Sequence, residues 1–280
     1  MQYWDADFIN RSPVFEPLRA CGVTGVHGAV SCSARSAQWP EMAALQAMVN
    51  ARGIVTGGGQ PLRLVAQDAR GGAFEDRYEV RIYREGELQL RAHHWHDLFN
   101  LLAWMVFPRA KAALNARHHH ALLEQQASGT RNRGAAQDAL TLFDESGVIV
   151  AATEPDLLQA VRDFEWKRLF WEHRERVIHR TRWFIFGHAL YEKALQPYEG
   201  ITGRGVLFNV ERGFPALPLA AQLELIDGML AHRLAAPAFF TATRELAPVP
   251  ILGIPGWWAA NGQASFYDNT AYFRPGRQRA

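Results

Sequence analysis

Residues 97–107, DLFNLLAWMVF, are the stretch that decides the fold of this chain. Its last ten residues, 98–107, carry no charge, and Asn100 is their only polar side chain. A helix that spans a bilayer needs about 20 apolar residues, so this length predicts a helix buried inside the protein. Pro108 suits the first turn of a second helix, which we expect to run to about Gln126.

Composition places the rest of the chain in the globular class. Of its 280 residues, 48% are hydrophobic and 21% charged, which excludes a disordered or collagen-like chain. Thirty Lys and Arg against 28 Asp and Glu leave a net charge of +2, which identifies no polyanionic partner. Without repeats or long linkers, residues 1–280 are predicted to form one domain. From about residue 248, a Pro-, Gly- and aromatic-rich segment is expected to wrap over the core in an ordered way.

The N-terminal residues and the cysteines indicate a compartment. MQYWDADFIN at residues 1–10 has acidic residues where a secretory signal needs basic ones, so we expect a cytoplasmic protein with no membrane contact. Cys21 and Cys32 form no CxxC motif, which excludes a zinc ribbon. In a chain without an export signal we expect free thiols, and a disulfide between the two stays open.

Two segments alternate apolar and polar residues in the manner of β-hairpins. One hairpin is predicted over about residues 62–90, where Gly86 lies in the polar gap between two alternating runs. The other is predicted over about residues 139–151, with DESG at residues 144–147 as its turn. Helices are expected from Thr153 through Val177, and over residues 183–195 and 219–234. Helices and hairpins in separate blocks predict a mostly helical α+β domain in which the hairpins pack against the helices.

Five stretches, in this order along the chain, resemble one known family. They are WHDLFN at 95–100, FPRAKAALNARH at 107–118, DALTLFDESG at 138–147, FGHALYEKAL at 186–195, and PILGIPGWW with FYDNTAYFRP at 250–275. The family is the bacterial domain of unknown function 3025. The resemblance covers most of the chain and implies a single-domain bacterial protein. It implies no activity, cofactor or catalytic residue.

Six of the eleven histidines lie in two clusters, at residues 93–96 and 118–120. Clustered imidazoles are candidate metal ligands. Successive helical residues point about 100° apart, so only His118 of the second cluster is expected to face inward. Lys111 and Asn115 share its face. The alternative is that His118 is a core histidine satisfied by a hydrogen bond.

Three further positions carry ionisable pairs. Asp97, beside His96, is the expected N-cap of the buried helix, and the functional alternative presents both side chains at a helix start. His188 and Glu192, four residues apart on a helix, can bind one divalent ion or simply bond to each other. Asp144 in its predicted turn either bonds local amides or holds Mg²⁺ with its acidic neighbour.

If these groups meet in the folded protein, their burial is unfavourable unless they pair or bind an ion. The leading hypothesis is a metal-dependent hydrolase of the phosphoester type with a buried His/Asp/Glu site. The metal ligands would be His96, His118, His188 and Glu192. The catalytic residues would be Asp97, Asp144 and Lys111. Either aspartate would be a ligand or general base, and the lysine would steady an anionic substrate.

The alternative function is a non-catalytic binding module. Residues 162–182 hold seven basic against four acidic residues, with Trp166, Phe170 and Trp171 interleaved and Trp183 following. Such a face can bind nucleic acid, although aromatic stripes of this kind are more often buried. Trp257 and Trp258 offer a surface for a protein partner. A third reading has no site, only buried polar groups that satisfy one another. The HExxH, nucleophile-elbow, P-loop and dinucleotide motifs do not occur.

Overall fold

Helices make up most of the regular structure in the computed structural model, which describes residues 2–19, 38–68, 72–130 and 132–276. The α-helices are α1 (Glu16–Leu18), α2 (Met42–Ala51), α3 (Tyr78–Glu85), α4 (Trp95–Val106), α5 (Pro108–Ser128), α6 (Ala135–Ser146), α7 (Pro155–Arg162), α8 (Arg174–Arg180), α9 (His188–Ala194) and α10 (Leu219–Ala235). The strands are β1 (Arg63–Ala66), β2 (Glu87–Leu90), β3 (Gly147–Ala152), β4 (Thr181–Ile185), β5 (Thr202–Asn209) and β6 (Ala247–Pro250). The mostly helical α+β class is confirmed. Cys21 and Cys32 lie outside the described residues.

The predicted helix pair α4 and α5 is confirmed, and α4 is buried along most of its length. Ten of the twelve residues of α4 are buried, including Asn100. Pro108 is the first residue of α5, where its missing N–H removes no helical hydrogen bond. One hydrophobic core contains α4 together with Ala110 and Leu114 of α5, and it extends from Trp4 to Phe273. None of the described helices is long and apolar enough to cross a membrane.

The first predicted hairpin is wrong. Residues 78–82 belong to α3, and β1 and β2 pair in parallel, with Leu64 opposite Leu88. Parallel strands need a crossover connection, which α3 supplies. The alternating pattern misled because Arg81 is buried between two apolar neighbours. Its guanidinium pairs with Asp68 at 2.7 Å and with Glu87 at 2.5 Å.

The second predicted hairpin is also wrong. Residues 135–146 form α6, with Leu140 and Phe143 on its buried face, and residues 144–146 form its last turn. Only the second predicted arm is a strand, and every residue of this strand, β3, is buried. It lies inside a four-stranded sheet of order β4-β3-β5-β6, antiparallel to β4 and parallel to β5.

Two predicted helices are interrupted. The helix expected from Thr153 breaks after α7, where Phe164 has a φ of +60°, and resumes as a π-helical turn (Arg168–Glu172) and α8. Residues 181–185 form β4 instead of a helix, so that Trp183 packs in a sheet. The last predicted helix is confirmed as α10. After β6 the chain continues as short 3₁₀-helices, from which the Tyr267 hydroxyl donates to the Gly253 carbonyl at 2.9 Å.

Candidate metal centre

Three helix ends meet at one cleft of about 310 Å³. The first turn of α4 contributes His96, and the last turn of α6 contributes Asp144 and Glu145. The first residue of α9, His188, completes this wall. The other lining residues are Gln67, Tyr78, Glu79, Gln89, Arg91, Asp97, Asn100, His118 and Thr141.

A close backbone contact brings the ends of α6 and α9 together. The N–H groups of Phe186 and Gly187 both donate to the Gly147 carbonyl, at 2.9 and 3.0 Å. A Cβ at Gly187 would lie 2.4 Å from the Gly147 nitrogen and 2.5 Å from the Glu145 carbonyl oxygen. Glycine is therefore needed at position 187, because any side chain would push α9 away from α6.

His96, Glu145 and His188 form a group whose potential ligand atoms all lie within 4.8 Å of one another. The two Nε2 atoms are 3.1 Å apart, and Nε2 of His188 lies 3.8 Å from Oε2 of Glu145. Two imidazole nitrogens on one tetrahedral zinc ion, each at about 2.05 Å, are separated by roughly 3.3 Å. The observed spacing therefore suits a single bound ion.

The protons on the two imidazoles follow from their neighbours. Nδ1 of His96 lies 3.0 Å from a carboxylate oxygen of Glu192. An ionised carboxylate only accepts, so the neutral His96 ring carries its proton on Nδ1 and directs the Nε2 lone pair at His188. Nε2 of His188 must then either donate a proton to this lone pair or bind, together with Nε2 of His96, to one cation. One proton or one metal ion satisfies this contact.

Lys111 forms a buried ion pair behind the His188 ring. Its Nζ, in a side chain only 4% exposed, donates to Oδ1 of Asp144 at 2.5 Å and to Oδ1 of Asn100 at 2.8 Å. Burial would raise the pKa of Asp144, but the Lys111 ammonium outweighs it and holds this pKa below its usual value. The other Asp144 oxygen is 3.8 Å from Nδ1 of His188. The Lys111 charge is thus directed at Asp144 and does not face the cleft.

Burial also sets the protonation state of the ligand group. It lowers the pKa of His188 to about 3, an effect that Lys111 and His96 reinforce and Asp144 opposes. His188 is therefore neutral at physiological pH, the form in which imidazole binds metals. Burial raises the pKa of Glu145, and a cation bound beside it would favour the charged carboxylate again.

Two predicted site residues have other contacts than expected. Asp97 is not the N-cap, because α4 begins at Trp95, and its carboxylate accepts from the Arg91 side chain at 2.7 and 2.9 Å and from the Arg91 backbone at 2.7 Å. Burial would raise the pKa of Asp97, but these bonds hold it below its usual value. Glu192 contacts His96 rather than His188, so it lies behind a ligand and outside the ligand group.

The predicted histidine ligands divide in the same way. His96 and His188 meet, whereas His118 lines the cleft from α5 outside the ligand group. His119, expected to face solvent, is buried and stacks on Tyr83 with ring centroids 3.9 Å apart. The sequence suggested Glu145 only as the acidic neighbour of Asp144 in a possible Mg²⁺ pair, and it did not place this residue beside the two histidines. It also assigned Tyr78 to a strand and so missed its position in the cleft.

The basic face proposed for nucleic acid is largely paired with carboxylates. Arg176 contacts Glu154 at 2.6 Å and Asp156 at 2.7 Å, and Lys167 contacts Asp268 at 2.5 Å. The interleaved aromatic residues Trp166, Phe170 and Trp183 are buried. These contacts leave fewer charges and aromatic rings for a polyanion than the sequence suggests.

Comparison with known proteins gives one match. A family model described as "Protein of unknown function (DUF3025)" matches residues 62–277. This range contains every cleft residue described above. No curated protein and no solved structure gives a significant match.

Proposed function

This chain belongs to the DUF3025 family, and we propose that it is a hydrolase that uses one divalent metal ion. The proposal rests on the group formed by His96, Glu145 and His188, whose donor atoms lie within 4.8 Å on the wall of a solvent-accessible cleft. Two imidazoles and one carboxylate are a donor set of catalytic zinc sites, which keep a further position for water or substrate.

In this proposal the ion supplies the chemistry, and the residues around it hold the ligands in place. A bound divalent ion polarises a substrate oxygen and lowers the pKa of water to about 7. Glu192 holds the proton of His96 on Nδ1 and keeps Nε2 free for the ion. Asp144 and Lys111, predicted as catalytic groups, form a buried ion pair beside His188.

The charges of the cleft favour an uncharged scissile group. The carboxylates of Glu79, Asp97, Asp144 and Glu145 line it, with Arg91 as their cationic neighbour. Arg91 is bonded to Asp97, and the Lys111 predicted to hold an anion is bonded to Asp144. A phosphate group would meet like charges in this cleft. We therefore favour a carboxylic ester or amide as substrate over the phosphoester expected from the sequence.

Metal content tests the first step of this proposal. Tag-free protein is loaded with Zn²⁺, Mn²⁺ or Co²⁺ and dialysed, and its metal content is measured by inductively coupled plasma mass spectrometry. We expect about one ion per chain in the wild type and a large loss in His96→Ala and in His188→Ala. His179→Ala is the matched control, because this α8 histidine is 70% exposed. Unchanged metal content in both ligand variants would contradict the proposal.

Hydrolysis tests the second step. Metal-loaded protein is assayed with p-nitrophenyl acetate, p-nitrophenyl phosphate and bis(p-nitrophenyl) phosphate, each with and without EDTA. We expect EDTA-sensitive hydrolysis of the acetate ester that His188→Ala abolishes and His179→Ala retains. Activity on the phosphate esters alone would retain the metal chemistry and overturn the choice of an uncharged ester. Protein that binds metal and hydrolyses none of these esters would count against a hydrolase.

A further inference from the structure

We propose that Tyr78 is a catalytic residue of this cleft, whose phenolic O–H donates a hydrogen bond to a substrate oxygen at the metal centre. The inference rests on the proposed function and adds to it a residue that is not a metal ligand. Tyr78 is the first residue of α3 and lines the cleft together with His188, the first residue of α9.

The direction of the hydrogen bonds on this wall starts at Lys111. An ammonium group donates and never accepts, so the atom of Asn100 that lies 2.8 Å from Nζ must be its carbonyl oxygen. This contact fixes the orientation of the Asn100 amide. Its Nδ2 group then faces the Tyr78 oxygen at 2.7 Å and donates to it. The Tyr78 oxygen is therefore an acceptor in this contact.

The proton of Tyr78 is left for another partner. Because its oxygen accepts from Asn100, the phenolic hydrogen must point elsewhere. Among the described residues, none accepts a hydrogen bond from this hydroxyl. Tyr78 is 37% exposed and lines the cleft. Its free O–H donor is therefore available to a molecule that binds there.

Position and charge both allow this role. Tyr78 lines the same cleft as His96, Glu145 and His188, so one bound molecule can contact the metal centre and the phenol together. Burial of the hydroxyl, with the negative charges of Glu79, Asp144 and Asp97, raises the pKa of Tyr78 well above its usual value. The group thus stays protonated and remains a donor.

The chemical role is that of an oxyanion donor. When water adds to an ester or amide carbonyl, negative charge develops on the carbonyl oxygen, and a fixed O–H stabilises it. Tyr78 is not required to transfer its proton, so it needs no partner to restore it. The hydrogen bond to Asn100, itself held by Lys111, fixes the phenolic oxygen before the substrate binds.

Tyr78→Phe removes the donor and keeps the ring. Loss of one oxyanion donor lowers kcat by about 100-fold or more, and we expect this loss for p-nitrophenyl acetate, with a smaller change in KM. Metal content and thermal stability are expected to stay near those of the wild type. A structural defect, in contrast, would lower both. Tyr83→Phe is the matched control, since Tyr83 lies on the same helix and stacks on His119.

A binding measurement separates this inference from the hydrolase proposal. Acetohydroxamate, which offers a carbonyl oxygen and binds metals, is titrated into Zn²⁺-loaded protein. We expect Tyr78→Phe to weaken its affinity by about tenfold, and Tyr83→Phe to leave it unchanged. If Tyr78→Phe matches the wild type in both assays, the role of Tyr78 is overturned while the metal hydrolase stands. If the wild type binds no metal, both proposals fall. If ester hydrolysis is absent but Tyr78→Phe weakens acetohydroxamate, the donor is supported and the reaction is not.

Discussion

Glu192 lies behind one imidazole of the proposed metal group. It contacts Nδ1 of His96 at 3.0 Å, whereas Nδ1 of His188 has no hydrogen-bond partner among the described residues and lies 3.8 Å from Asp144. A hydrogen-bonded carboxylate fixes the tautomer of a ligating histidine and increases its basicity. At the residue scale, metal affinity should therefore depend on groups that do not touch the ion.

The first prediction concerns Glu192→Gln. The amide keeps the size of the side chain but removes the negative charge that favours the Nδ1 proton of His96. We expect Zn²⁺ affinity to fall by about 10- to 100-fold, measured by competition with a chelator. Glu175→Gln, at a side chain 82% exposed on α8, is the control and should bind as the wild type does. Equal affinities in the two variants would show that Glu192 does not orient a ligand.

The second prediction concerns pH and His188. Its pKa is about 3 in the folded protein and about 6.5 in the unfolded chain, so between these values only the unfolded chain takes up the proton. The free energy of unfolding must then decrease as the pH falls, by up to about 1.4 kcal/mol per pH unit. Asp144, with its lowered pKa, adds its loss only below its unfolded value of about 3.8.

Urea unfolding in EDTA between about pH 7 and 4 measures this slope. His188→Gln cannot take up the proton in either state, so its stability should fall less steeply over the same range. The difference between the two pH profiles gives the contribution of His188 to stability, because the carboxylates contribute to the profiles of both proteins. Parallel profiles would mean that His188 is protonated in the folded protein.

At the scale of elements, the site depends on how α6 and α9 end and begin. Glu145 and His188 come from different elements, and the Gly147 to Gly187 contact sets their distance. The ligand geometry should therefore respond to backbone changes at the junction.

The third prediction is that Gly187→Ala separates the two helix ends. The new Cβ would meet backbone atoms at 2.4 and 2.5 Å, which do not yield as a flexible side chain does. We expect a loss of about 1–3 kcal/mol in unfolding free energy. Zn²⁺ affinity should fall as well, because His188 moves with α9.

Gly213→Ala is the control for this change. Gly213 has a φ of −76° and open space where its Cβ would be, so alanine fits without strain. Denaturant unfolding and chelator competition compare the two variants. If Gly187→Ala kept both stability and metal affinity, the junction would not set the distance between Glu145 and His188.

The elements also show what a sequence can predict. Three elements could be predicted from local sequence: α4, the start of α5 and the strand β3. Helix α4 and strand β3 are long apolar runs, and α5 begins with a proline, Pro108. The two predicted hairpins are wrong. Alternation of apolar and polar residues is typical of a strand with one face in solvent, but it also arises in a helix that buries a charged residue. In residues 78–82 it comes from Arg81, a buried charge held by partners elsewhere in the chain. Only the fold reveals those partners.

At the scale of the whole molecule, the same limit applies to the site. His96 and His188 are 92 positions apart in the sequence, and their contact exists because α4 and α9 pack in one core. Residue types and spacing identified both histidines as candidates. They could not place Glu145 beside these histidines as the third proposed ligand, or show that Glu192 contacts His96, since both depend on how helices from distant segments meet.

The last prediction follows from this assembly. A ligand that binds only the folded protein stabilises it by about 2.7 kcal/mol at 100 times its dissociation constant. The three proposed ligands come from three helices, so the unfolded chain offers no comparable site. Adding Zn²⁺ should therefore raise the Tm of metal-free protein by about 5 °C or more in a thermal scan. EDTA should reverse the increase, His188→Ala should abolish it, and His179→Ala should retain it. An unchanged Tm in the wild type would mean that a proton, and not a metal ion, joins His96 to His188.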